Sequence, residues 1–301
     1  RHISMSPEGV PYPSLSDFFH DRGLPVGVVT LGNIADATPT AFYGHSVERD
    51  NADELTRCLM DGRIDLLCGS GIREFTRRKD GIDLVGELEK QYDFVRSVDG
   101  IDAAKGKVIC IDEAMDDAAE EANLTLLADA TRASIAKLQE RGGDGFFLMV
   151  EGAKIDYAGH SRCLPGSIIE MLSFDLAVAE ALKFADTNGE TLVIVTADHG
   201  MAALSPERYI NLMPLLDTTQ VIRTVPGTPF GLEVKEEYAD TALRILRRTG
   251  HMKAWRREQM PRRFHYGTHP TRLTNIIVIP ETGWTLDYAA EARPVRKRGT
   301  H

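Results

Sequence analysis

The stretch Thr191-Leu192-Val193-Ile194-Val195-Thr196-Ala197-Asp198-His199-Gly200 joins a β-branched, apolar run to a carboxylate, an imidazole and a glycine. The run predicts a buried strand, and the carboxyl ends of such strands are where open α/β sheets place their ligand sites. Adjacent side chains on a regular strand point to opposite faces, so Asp198 and His199 converge on one ion only if the chain turns there. Gly200 permits that turn. The alternative is an Asp capping the next helix beside a surface His, and this stretch alone leaves both open.

Outward from it, strand and helix alternate. Residues 25–30, 64–68, 107–111 and 146–150 read as strands, and 15–23 as a short helix. Residues 118–140 carry Leu126, Leu127, Ala130, Ile135 and Leu138 at helical spacing, and 168–185 carry Ile168, Leu172, Leu176, Ala179 and Leu182. The expected class is α/β, a mostly parallel central sheet with helices on both faces. Beyond about residue 204 the texture changes to short strands (221–225, 231–234, 254–255, 275–279) around a helix at 236–249. This divides the chain into a core, 1–204, and a small α+β cap subdomain, 205–301.

A second polar cluster follows the 146–150 strand: Glu151-Gly-Ala-Lys-Ile-Asp156-Tyr157-Ala-Gly-His160. Glu151 stands in the same relation to its strand as Asp198. Asp156 and His160 are four apart, on one face of a helical turn, a spacing suited to two ligands on one zinc. One such strand end is easily an accident; two together are not. A third cluster, Asp36-Ala-Thr38-Pro with Arg49 farther on, reads locally as a helix start with Pro just inside. Its hydroxyl and carboxylate also suit magnesium, and an Arg can fork onto a phosphate.

The composition is that of a globular chain, 43% hydrophobic and 27% charged. A net charge of −10 argues against nonspecific nucleic-acid binding. An acidic protein that takes an anionic substrate needs local positive charge, which metal ions supply. Cys58, Cys68, Cys110 and Cys163 form no C-x-x-C pair, and no apolar run reaches membrane-spanning length.

Together the three clusters, from about residue 6 to 204, resemble the alkaline phosphatase family. The resemblance implies hydrolysis of phosphate monoesters through two Zn2+ and one Mg2+. Asp156 and His160 would hold one zinc, Asp198 and His199 the other, and Thr38 and Glu151 the magnesium. Asp36 would stand behind the magnesium through water, and Arg49 would clamp the phosphate. From Ser205 on, Met260-Pro-Arg-Arg-Phe-His-Tyr-Gly is similar to the cap of nucleotide pyrophosphatase/phosphodiesterases. There a later Gly-Thr-His completes the first zinc site. Gly299-Thr300-His301 fits that pattern, with His269 of Gly-Thr-His-Pro as the competing candidate. The expected partner is a small-molecule phosphate ester, with a homodimer left open and a periplasmic or secreted location implied by the resemblance alone. No Asp-Ser dipeptide of the kind that carries the family's nucleophile occurs. The expectation is therefore a chain truncated at both ends, with diester hydrolysis or a non-catalytic metal-binding fragment as the rival readings. Tyr157 stands where relatives often carry a basic or other aromatic residue near the phosphate.

Overall fold

A computed structural model describes residues 2–6, 8–117, 123–161, 163–267, 273–291 and 298–300. The chain divides into two compact units, one of residues 1–158 and 163–196, the other of residues 159–162 and 197–301.

The first unit is built on five strands: β1 (Val26–Asn33), β2 (Leu66–Ser70), β3 (Tyr92–Val95), β4 (Lys107–Ile111) and β5 (Phe147–Glu151). They pair in the order β3-β4-β2-β1-β5, every pair parallel. Parallel strands covered on both faces read as unbroken apolar runs, and β1, β2 and β4 do. Alternation along each strand sorts the side chains into two cores. Val29, Leu31, Leu66, Cys68, Val108 and Cys110 face the helices α6 (Leu126–Arg141) and α8 (Leu164–Asn188). Val26, Val28, Leu67, Ile109 and Ile111 face the other side. That side is covered by α1 (Leu15–His20), α2 (Ala37–Tyr43), α4 (Arg73–Thr76) and α5 (Leu84–Leu88), while α3 (Ala52–Arg57) packs on α4. The α/β class expected from the sequence is the class observed. Strand β3 had no counterpart among the expected elements, and α6 begins at Leu126 rather than 118, with 118–122 outside the described residues.

Two expectations are corrected. Residues 191–196 form no strand; they are mostly exposed, with Leu192 82% and Ile194 75% accessible. A strand is defined by pairing, and among the described residues β5 pairs with β1 alone, so no strand of this sheet includes 191–196. The helix expected over 168–185 is present, but its apolar stripe is not the packed face. Ile168, Leu172, Leu176 and Leu182 are exposed, whereas Glu170, Ser173 and Ala177 are buried. Apolar spacing marks a face suited to burial; it does not provide a cover.

The second unit holds an antiparallel sheet ordered β10-β11-β9-β8. Its strands are β8 (Val221–Val225), β9 (Phe230–Val234), β10 (Met252–Arg256) and β11 (Ile276–Pro280). Helix α9 (Glu236–Arg248) packs Ala239, Ala242, Leu243 and Leu246 onto Leu232, Ala254, Ile276 and Val278. Two short pairs complete it: β7 (Tyr209–Asn211) with β12 (Thr285–Asp287), and β6 (Ala202–Leu204) with β13 (Arg298–Thr300).

Two phenols in the first unit's core give stability a pH dependence. Tyr43 donates to the Ile34 carbonyl at 2.7 Å and Tyr92 to the Leu59 carbonyl at 3.2 Å. Burial, chiefly, raises both above the ordinary value of 10. A raised folded-state value means that stabilisation is complete below about pH 10 and is lost as pH rises toward the folded-state values. The urea midpoint is expected to fall as pH rises above about 10, and Tyr43→Phe to flatten that fall. An unchanged slope in the variant would remove Tyr43 from the account.

Candidate active site

The carboxyl ends of β1 and β5 lie side by side, Thr30 opposite Glu151 in register. Thr30 Oγ1 donates to Glu151 Oε2 at 2.6 Å, a contact the sequence reading missed. Its one signal is a hydroxyl at the end of an otherwise apolar strand. Thr30 is fully buried, so the bond fixes one carboxylate oxygen of Glu151.

Asp36 occupies the N-cap position of α2 with extended backbone, where an Asp ordinarily bonds the helix's first amides. It makes no such bond. Its Oδ2 instead accepts a short hydrogen bond from the Tyr157 hydroxyl. The capping account of Asp36 therefore fails, and its carboxylate faces helix α7 (Lys154–His160). Partial burial, the bond to Asp36 and the nearby Glu151 and Asp116 charges hold the Tyr157 phenol well above its usual range, so it stays a donor. Lys154, buried and paired with Asp116, places its Nζ 4.9 Å from the Tyr157 ring centre.

Gly32 leaves a gap between these groups. A Cβ there would stand 3.6 Å from Thr30 Oγ1, 3.8 Å from Asp36 Oδ2 and 3.2 Å from the Ala153 Cβ. A side chain at Gly32 would press on Ala153 and touch both of these oxygens, so glycine keeps the hydroxyl and the carboxylate close together.

Thr38 lies in the first turn of α2 and is half-buried. Arg49, 38% exposed, pairs only with Asp50 among the described residues, at 3.5 Å, so the structure does not bring it to Asp36 or Glu151. Asp156 and His160 share α7, whose last turn belongs to the second unit. There His160 Nδ1 lies 3.0 Å from the Gly299 carbonyl. A carbonyl only accepts, so Nδ1 carries the proton and Nε2 carries the lone pair a metal would use. Gly299 is required for the approach, since a Cβ there would stand 2.1 Å from the Gly159 carbonyl oxygen. Asp198 and His199 are exposed and contact each other, His199 Nε2 lying 3.0 Å from Asp198 Oδ2. His269 and His301 lie outside the described residues. Among the described residues no three His, Cys, Asp or Glu side chains gather closely enough to hold a metal.

The family model for alkaline phosphatase matches residues 1–220, and the chain belongs to the alkaline phosphatase family. Alkaline phosphatase 3 of Bacillus subtilis (strain 168) is 32% identical over 67% of this chain and 46% of its own length. Streptomycin-6-phosphate phosphatase of Streptomyces griseus is 31% identical over 64% of this chain and 55% of its own. A solved structure, a mutant of TAB5 alkaline phosphatase with Mg bound in the M3 site, superposes with a TM-score of 0.61. It shares 29% identity and covers 67% of this chain and 61% of that one. The chain spans about half the length of the curated relatives it matches.

Proposed function

We propose that this chain carries the metal cradle of a phosphate monoester hydrolase. The observation that carries the reading is the Asp36 carboxylate, released from capping α2 and held by Tyr157 beside the Thr30–Glu151 pair. Carboxylate oxygens fixed in this way are hard donors of the kind Mg2+ takes, which supports the reading.

In this reading Thr38 and Glu151 hold Mg2+, with Asp36 behind it. Asp156, His160 and His301, or His269 in its place, hold one Zn2+, and Asp198 and His199 a second. The antiparallel pairing of β13 with β6 and the contact of Gly299 with His160, two residues before His301, favour His301. Bound zinc and magnesium supply Lewis acidity toward phosphoryl oxygens. The chain's own residues do the rest: Thr30 and Tyr157 fix carboxylate orientations by donating to them, and Arg49 forks onto two unesterified phosphate oxygens. A diester has one of those oxygens esterified, which is why the reading favours monoesters. No Ser or Thr is assigned as nucleophile. Ser70, at the end of β2, is 1% accessible and out of a substrate's reach.

The test is hydrolysis of a chromogenic monoester and of a diester with the same leaving group, by this chain loaded with zinc and magnesium at alkaline pH. Faster monoester turnover is expected, lowered about 100-fold or more by Arg49→Ala. Faster diester turnover would favour the phosphodiesterase reading. Stoichiometric zinc with no turnover would favour a non-catalytic fragment.

A further inference from the structure

The sheet of the second unit has two faces, and α9 covers one. Met252, Ala254, Ile276 and Val278 point into that core. Period-two alternation puts Lys253, Trp255, Ile277 and Ile279 on the opposite face, and register pairs Lys253 with Ile279 and Trp255 with Ile277. On that face lies a depression of about 290 Å³ lined by Lys253, Trp255, Arg263, Phe264, Ile279 and Glu281, among others. Its volume matches the lower end of small-molecule sites, roughly 300 Å³.

The lining combines two features. Trp255 and Phe264 form an edge-on aromatic pair, ring centres 5.9 Å apart at 60°. Lys253 and Arg263 are exposed cations, and among the described residues neither has an acidic partner. Neighbouring cations do: Arg256 bonds Glu236 and Asp240, and Arg257 bonds Glu258. The acidic lining residue, Glu281, is taken by His251 Nδ1 at 2.8 Å, and the His251 ring stacks on Trp284 at 3.9 Å. In a chain of net charge −10, two uncompensated cations at the rim of an aromatic depression form a local exception.

We propose that this depression binds a small anion carrying a planar ring, with the ring against Trp255 and Phe264 and its phosphate or carboxylate between Lys253 and Arg263. The site stands on residues of the second unit alone and does not depend on the phosphatase reading.

The probe is phenylphosphonate, whose carbon–phosphorus bond is no ester. Trp255 and Trp284 are the two tryptophans of the chain, so in a Trp284→Phe background the fluorescence reports Trp255. A saturable change on titration is expected, shifted to at least tenfold higher concentration in K253A/R263A, with far-UV dichroism unchanged. Benzyl alcohol and inorganic phosphate are each expected to bind at least tenfold more weakly, because each lacks one of the two features. His160→Ala is expected to leave the titration unchanged. The proposal is overturned by no saturation, by equal affinity in K253A/R263A or K253E, by phosphate binding as tightly as the probe, or by loss of binding in His160→Ala.

Discussion

On the proposed zinc reading, replacing His160 with alanine is expected to strip one zinc from the chain and lower monoester turnover by more than about 100-fold. That bound follows from outer partners of metal ligands, whose loss alone costs about 10- to 100-fold, so loss of a ligand should exceed it. The argument rests on the end of α7. Asp156 and His160 come one turn apart, and the Gly299 carbonyl accepts from Nδ1 and leaves Nε2 as the donor atom. The same geometry predicts a graded series. Gly299→Ala must move the backbone away from Gly159, since its Cβ would stand 2.1 Å from that carbonyl oxygen. His160 then keeps its ring and loses its orienting partner, and zinc affinity should fall about 10- to 100-fold. Competition with a chromogenic zinc chelator measures both without relying on turnover. If His160→Ala binds zinc with undiminished stoichiometry and affinity, His160 is no ligand. If Gly299→Ala matches the parent chain, the carbonyl contact does not orient the ring.

How far the sequence was legible depended on whether a signal was local. The runs at 107–111 and 146–150 lie within a residue of β4 and β5, because a short, mostly apolar run bounded by polar residues is a local strand signal, although β4 is buried and β5, at the sheet edge, is only half-buried. The placement of Glu151 at the end of β5 and of Asp156 one turn before His160 on α7 was legible, because both spacings lie within ten residues. The partners Thr30 and Tyr157 were not legible in those roles. Thr30 reaches Glu151 across 121 positions through sheet register and Tyr157 reaches Asp36 across another 121 through helix packing, and no local pattern encodes either contact. Asp36 itself misled: Asp-Ala-Thr-Pro is a sound helix start, and the helix is there, but the carboxylate does not cap it.

The stretch from Thr191 to Thr196 is the sharpest divergence, and a pair of truncations decides it. Leu67 sits in β2 with Val28 on one side and Ile109 on the other, inaccessible to solvent. Leu67→Ala should leave a cavity in the middle of a parallel sheet and destabilise the first unit by about 2–5 kcal/mol. Leu192 has the same side chain in an equally apolar local sequence, yet it is 82% accessible. Leu192→Ala should therefore stay within about 0.5 kcal/mol of the parent. Urea unfolding of this chain measures both, read as a shift in midpoint at constant slope. If Leu192→Ala instead costs as much as Leu67→Ala, the run is packed in solution and the buried strand expected from its composition is the right description. If the large difference holds, apolar character at 192–195 and along the exposed stripe of α8 records surfaces suited to burial that nothing among the described residues covers. Local sequence would then have reported each face's affinity for apolar contact correctly, and the neighbours available to each face would have decided which were buried.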